Sequence, residues 1–186
     1  MKFPPSEFWS YSTRIYQITE IEKACLNLQN QFHADVNILL YCCWIAEKQI
    51  ELSEKDIDTL IKISQPWQKN ILIHLRAARS TLKTSTVVIP DEQRKEAHQN
   101  ICEMELNAEH MAQLALEKAL NLKKKSRNKT LQPVDCISNN LSLYCQRLDS
   151  TLPVEQMNEQ LNIITHALYM KDDTNIQTVN SAQAGS

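Results

Sequence analysis

The sequence predicts an all-α protein, and the near absence of glycine is the first reason. Of 186 residues only Gly185 is a glycine, although hairpins, bulges and many helix ends use this residue because it tolerates a positive φ. The second reason is that apolar residues recur at spacings of three and four along most of the chain. We therefore expect one orthogonal, multi-helix bundle of about eight helices over residues 1–170. Residues 171–186 are rich in Thr, Asn, Gln and Ser without any period, which predicts a disordered tail.

The first four predicted helices are separated by capping residues. The first covers about residues 5–16, and Thr19 is a candidate cap for the second. Asp35 is expected to cap the third, whose sequence VNILLYCCWIAEK is apolar on nearly every side, so this helix should be the buried centre of the fold. Ser53 and Asp56 have the spacing of a capping box at the start of the fourth.

Prolines are expected to open the other four helices, because proline fits the first helical turn. The sixth predicted helix is the longest, ends near Leu122, and carries alanines along one face, which favours close approach of another helix. The last two should end near Arg147 and Leu168. The four opening residues are Pro66, Pro90, Pro133 and Pro153.

Composition excludes several broad classes of protein. The formal net charge of −2 argues against a general attraction to nucleic acids or membranes. The most apolar run, residues 38–46, is far shorter than the roughly 18 residues of a transmembrane helix, and the first residues lack the apolar segment of a secretory signal. Six cysteines without a Cys-x-x-Cys pair are read as reduced, buried thiols. These observations predict a cytoplasmic protein with no membrane partner.

Three polar sets are the candidate ligand-binding residues. Each has a structural interpretation as well: a helix cap that satisfies nearby backbone, or a solvated flank of a helix. The functional interpretation is a pocket lined by an acid, an amide and a guanidinium clamp for a carboxylate or phosphate. The first set, Asp35 and Asn37, lies at the start of the third helix. The second, Arg76 and Arg79, lies on the fifth helix, and the third, Glu105 and Glu109, lies on the sixth.

The sequence leaves the partner of the arginines open. If the fifth and sixth helices form an antiparallel hairpin, Arg79 should face the region of Lys95. Glu105 would then lie several residues further along the helix, which rises about 1.5 Å per residue. A direct Arg79–Glu105 pair is therefore one alternative, and pairing with Asp35 is the other.

Other chemistries are not favoured. No Glu-x-x-His motif occurs, so a carboxylate metal site is not expected. Without glycine in the body of the chain there can be no phosphate loop, dinucleotide fingerprint or nucleophile elbow, and no cofactor is expected. The basic run over residues 123–129 follows a long helix, where positive charge is favourable, and it lacks interleaved aromatic residues, so nucleic-acid binding is not favoured.

Four short motifs occur in the first 120 residues. They are F-W-x-x-S at 8–12, C-x-x-L-Q at 25–29, A-D-V-N at 34–37 and L-R-x-x-R-x-x-L-K at 75–83. With these motifs the chain resembles an uncharacterised family of proteobacterial cytosolic proteins that carry a domain of unknown function. The resemblance implies an all-helical bacterial protein and supplies no reaction. The family often has a glycine before A-D-V-N, where this chain has His33, so the turn there should be tighter or differently capped.

The motif positions coincide with the polar sets, which favours one shared polar pocket with Trp9 and Trp44 as candidate walls. Two functions follow. A non-enzymatic interaction or regulatory module would have an exposed apolar groove and polar sets satisfied among themselves, and its partner would be a protein. A small-anion-binding protein or enzyme would instead have a concave pocket with unpaired Arg76 and Arg79. The sequence does not decide whether a reaction is catalysed.

Overall fold

The computed structural model describes residues 2–84, 88–148 and 153–183, with side chains up to residue 169. Within these residues every regular element is helical, which confirms the predicted all-α class. A π-helical turn, Gln68–Leu72, joins α4 to α5 without a break, and a 3₁₀ turn, Leu122–Lys124, follows α6. The eight α-helices are α1 (Glu7–Tyr16), α2 (Thr19–Phe32), α3 (Val36–Glu47), α4 (Glu54–Trp67), α5 (Ile73–Lys83), α6 (Asp91–Glu117), α7 (Pro133–Cys145) and α8 (Val154–Gln183).

Helix α3 is the centre of the fold, as its apolar sequence predicts. Every residue from Asn37 to Ala46 is buried, and α3 contacts α1, α2, α4, α6 and α7. The fully buried ring of Tyr41 meets Phe8 edge-on at 5.2 Å between centroids. Because each large apolar side chain contributes about 1.5–3 kcal/mol when it leaves water, this helix fixes the positions of the elements around it.

Two of the predicted helix caps are present. Asp35 accepts a hydrogen bond from the Asn37 backbone N–H at 2.9 Å, and Ser53 with Asp56 forms the full capping box at α4. Thr19 is the first residue of α2 rather than its cap.

The turn that leads to Asp35 contains a left-handed residue. His33 has φ 56°, the region that glycine occupies most readily, and the Ala34 N–H donates to the Leu28 carbonyl. A non-glycine residue there costs about 1–2 kcal/mol. The turn therefore keeps the backbone path that a glycine would give, with a histidine at the helix C-cap.

The prediction that Pro66 opens the fifth helix is wrong. Pro66 lies inside α4, and the helical path continues through Trp67 and the π-helical turn into α5. Proline removes one backbone donor and crowds the preceding turn. The wider hydrogen-bond spacing of the adjoining π-helical turn accommodates the disturbance without ending the helix.

Helices α5 and α6 form an antiparallel hairpin that projects from the core. Neither α5 nor the part of α6 before Glu105 has a buried residue, and α5 packs against α6 and the π-helical turn. We call residues 73–83 and 91–104 the arm. The base of the arm lies beside α1, α2 and the start of α3.

Helix α8 packs against α2 and α7. Its backbone is helical to Gln183, beyond the end expected near Leu168, while the disorder expected for residues 171–186 in solution stays a prediction. Across the described residues, no helix combines the length and the apolarity that crossing a bilayer requires.

Candidate functional site

The six candidate side chains lie together, around one cavity at the base of the arm. The cavity has a volume of about 400 Å³ and lies between α1, α2, the start of α3 and the base of the α5–α6 hairpin. Whether they bind a ligand stays a prediction, but the sequence segments that carry them do meet. The candidate residues that are part of its lining are Asp35, Asn37, Arg76, Arg79, Glu105 and Glu109.

Apolar and aromatic side chains complete the walls. Trp9 is part of the lining as expected, and its ring stacks on His110 with centroids 4.0 Å apart. Trp44 is not part of it, because it lies one turn beyond Leu40 on α3 and packs in the core against Phe8. The other apolar or aromatic members of the lining are Tyr16, Leu26, Val36, Leu40 and Leu106.

Both arginines are bound to glutamates. Arg79 Nε donates to Glu105 Oε2 at 2.7 Å, and Arg76 Nε donates to Glu105 Oε1 at 3.2 Å. Arg76 also donates through Nη2 to Glu109 Oε1 at 3.0 Å and through Nη1 to the side-chain carbonyl of Gln68 at 3.2 Å. The guanidinium groups are therefore ion-paired, whereas an anion clamp would need them unpaired.

The direct Arg79–Glu105 pair shows that the hairpin register differs from the one expected. The midpoint in sequence of each of the pairs Arg76–Glu109 and Arg79–Glu105 is near residue 92. The register that sets Arg79 opposite Lys95 would place this midpoint earlier, in the link before α6. Helical side chains also point towards the N-terminus of their own helix. The arginines of α5 therefore reach down towards the base of the arm, where the glutamates of α6 lie.

Asp35 is both a helix cap and part of the cavity wall. Its second carboxyl oxygen accepts a hydrogen bond from the Ser64 hydroxyl, and its backbone N–H donates to Tyr144 Oη at 2.8 Å. Burial raises the pKa of Asp35 above its ordinary value, and it outweighs the hydrogen bonds and the charge of Arg76, which act in the opposite direction. The two interpretations left open by the sequence are thus compatible.

The lining is acidic on balance, with three carboxylates against two guanidinium groups. Burial raises the pKa of Glu109, and the charges of Glu105 and Asp35 add to the shift, although Arg76 opposes it. Burial also raises the pKa of Tyr16, with further contributions from Cys25, Glu22 and Glu109. Negative charge in this cavity is therefore already costly.

Two buried polar atoms in the lining have no partner among the described residues. Gln113 donates through Nε2 to Asn37 Oδ1 at 2.8 Å, but its Oε1 is unpaired although the residue is only 3% exposed. The Ser12 hydroxyl is likewise unpaired at 2% exposure. Each such atom costs about 1–3 kcal/mol while it stays unpaired.

Sequence reasoning missed Ser64 and Gln68. Ser64 lies near the end of α4 and Gln68 lies in the π-helical turn. No sequence motif predicts that turn. Across the described side chains, no three His, Cys, Asp or Glu residues are grouped so that they could hold a metal ion.

The model of a protein family described as a protein of unknown function, DUF2390, matches residues 7–116. The chain belongs to this family. The matched segment runs from α1 almost to the end of α6 and contains every residue of the cavity lining. No curated protein and no solved structure matches the chain.

Proposed function

We propose that this protein is a non-enzymatic binding module that holds a small molecule in the cavity at the base of the arm. The observation that carries the proposal is a 400 Å³ cavity with apolar walls and two unpaired buried polar atoms, on Ser12 and Gln113. Ligand sites combine such walls with a few convergent polar groups, in volumes of about 300–1,000 Å³. The six residues predicted from the sequence would then be ligand-binding residues.

The chemistry of the lining supports binding rather than catalysis. None of the described lining residues is a histidine, cysteine or lysine, three of the side chains that commonly act as bases or nucleophiles. The carboxylates are engaged in other roles: Glu105 and Glu109 pair with arginines, and Asp35 caps α3. Among the described residues of the lining, no nucleophile is hydrogen-bonded to a base.

The position of the cavity supports a regulatory role. A ligand there would touch α1–α3 on one side and the base of the arm on the other. The arm is attached through the π-helical turn, an element that occurs frequently at functional sites, and Gln68 of that turn bonds to Arg76. Ligand binding would therefore change how firmly the arm is held against the body.

Native mass spectrometry of the protein purified from the organism that encodes it tests the proposal. Leu106 lines the cavity and is 53% exposed, so Leu106→Trp should obstruct the site without disturbing the core. Met104, 56% exposed on the same helix, is outside the described lining, and Met104→Trp is the matched control. We expect a small molecule to remain on the wild type and on Met104→Trp and to be lost from Leu106→Trp. Equal retention by both variants, or none on the wild type, would contradict the proposal.

A protein partner at the arm is the second candidate function. Ile73 and Met104 are large apolar residues more than half exposed, at 57% and 56%, and the arm buries none of its residues. In that case a protein should co-purify with the wild type and with Leu106→Trp. Ile73→Asp should release it, and retention of the protein by Ile73→Asp would exclude this face of the arm.

A further inference from the structure

The charge of the cavity lining indicates the class of ligand. We infer that the cavity takes a small organic cation, in which an ammonium or guanidinium group is joined to an apolar portion. The inference rests on the proposed function, because it specifies the ligand of the same site. The sequence alone suggests a negatively charged ligand because of the two arginines, whereas the structure leads us to expect a positively charged one.

The arginines offer little to an anion. Glu105 receives hydrogen bonds from both guanidinium groups, at 2.7 Å from Arg79 Nε and at 3.2 Å from Arg76 Nε. Arg76 also donates through Nη2 to Glu109 and through Nη1 to Gln68. An anion would have to compete with these carboxylates for the arginines, and it would add negative charge to a lining that already has three acidic and two basic side chains. A cation would instead be attracted.

The acids respond to their surroundings in a way that agrees with this. The pKa values of Asp35 and Glu109 are both raised, in each case chiefly by burial. A cation among them would favour their ionised forms and lower both pKa values towards the ordinary range. A positive charge beside these buried acids would therefore offset part of the cost of ionising them.

The unpaired polar atoms call for a ligand with N–H donors. Gln113 Oε1 can only accept a hydrogen bond, and no described residue supplies a donor. The Ser12 hydroxyl can accept one as well. An ammonium or guanidinium group carries several donors, whereas a carboxylate carries none, so of these two classes only the cation can donate to both atoms.

The remaining walls suit the apolar portion and the positive charge together. Leu26, Leu40 and Leu106 provide apolar surface, and the rings of Trp9 and Tyr16 are part of the same lining. Aromatic rings attract cations placed near their faces. The volume of about 400 Å³ is near the lower end for ligand pockets, which limits the ligand to about one ring with a short chain.

Matched triads of small probes test the inference. In each triad the same apolar group carries an ammonium, a carboxylate or a hydroxyl group, as in phenethylammonium, hydrocinnamate and phenethyl alcohol. Binding is followed by NMR through the indole N–H signal of Trp9, with the signal of Trp44 as the internal reference, because Trp44 lies outside the described lining. We expect the ammonium member to shift the Trp9 signal with an affinity roughly tenfold or more above that of the carboxylate member, the size of one charge-assisted contact.

A pair of isosteric variants assigns the effect to the cavity. Glu109→Gln removes one carboxylate from the lining, and we expect it to weaken ammonium binding roughly tenfold. Glu103→Gln removes a charge from an exposed position of the same helix and should leave the affinity within about twofold, as expected for a screened surface charge. The unfolding midpoint of each variant, measured in parallel, separates loss of binding from loss of fold.

The outcomes distinguish the two proposals. If carboxylate or hydroxyl members shift Trp9 as strongly as the ammonium members, the cation class is wrong and small-molecule binding in the cavity stands. If no member of any triad shifts Trp9 at millimolar concentration, both are overturned. If Glu109→Gln and Glu103→Gln bind the ammonium members equally well, the cavity is not where the charge is recognised, and the inference fails.

Discussion

At the scale of single residues, Glu105 holds the base of the arm. Its carboxylate receives both arginines and is buried to 9% exposure. Removing one partner of a buried ion pair leaves the other charges unpaired, which costs about 3–5 kcal/mol at full burial. The side chain of Arg79 is 41% exposed, so solvent compensates part of this loss.

We therefore expect Glu105→Ala to lower the free energy of unfolding by about 2–3 kcal/mol in urea denaturation. The control is Glu103→Ala, an exposed glutamate on the same helix, which should change the value by no more than about 0.5 kcal/mol. Equal effects of the two substitutions would mean that the arginine cluster does not stabilise the fold.

Asp35 gives a prediction about pH. Burial raises its folded-state pKa above the ordinary value of 3.8, so the folded state binds the proton more tightly than the unfolded state. Its ionisation therefore lowers stability as the pH rises through the window from 3.8 up to the raised pKa. Asparagine caps a helix about as well as aspartate, so Asp35→Asn removes the charge and keeps the cap.

We expect the stability of Asp35→Asn relative to the wild type to increase between about pH 3 and pH 7, because only the wild type pays for ionising a buried carboxyl. Chemical denaturation at a series of pH values measures this difference. A difference that is constant with pH, or that declines, would show that the hydrogen bonds of Asp35 outweigh its burial.

At the scale of elements, the π-helical turn sets which face of α5 meets the cavity. Each residue advances a helix by about 100°. Deleting the exposed Asn70 from this turn should therefore rotate α5 and carry Arg76 and Arg79 away from Glu105. Asn70→Ala keeps the length of the turn and is the matched control.

We expect the Asn70 deletion to keep its helical circular dichroism and to lose the ammonium-dependent shift of the Trp9 indole signal, because the cavity would lose its wall. Asn70→Ala should retain the shift. An unchanged shift in the deletion variant would mean that the orientation of α5 is not part of the site.

The elements also show what the sequence could and could not predict. Asp35 and Ser53 announced two helix starts because caps act locally, within three residues. The prediction that Pro66 opens a helix was wrong because the effect of this proline depends on the π-helical turn that follows it. The pairing of Arg79 with Glu105 was undecided because the register of a hairpin depends on how its link folds, which periodicity does not encode.

At the scale of the whole molecule, the burial of the thiols can be tested directly. Burial raises the pKa of Cys25 and Cys145 to about 12 and that of Cys136 to about 11, and Cys42 and Cys43 are also buried with raised pKa values. Thiolates are the reactive form. Only Cys102 is partly exposed.

We expect a thiol reagent such as Ellman's reagent at pH 8 to modify about one thiol in the native protein, Cys102, and all six after denaturation. Mass spectrometry of the modified protein identifies the site. Rapid modification of Cys42 or Cys43 under native conditions would show that α3 is not the stable centre of the molecule.

The central helix and the convergence of the polar sets could be expected from the sequence, since an apolar α3 must be enclosed and Asp35 at its start must lie at the edge of that core. The acidic balance of the cavity and the pairing of its arginines could not, because they depend on distances between α5 and α6. That pairing is what turns the expected ligand from an anion into a cation.

The most direct measurement of the central claim is a crystal structure of the wild-type protein purified from the organism that encodes it. The account predicts electron density for a small organic molecule in the cavity, with a donor within hydrogen-bond distance of Gln113 Oε1. A cavity that contains only ordered water, or that is closed by the arm itself, would contradict it.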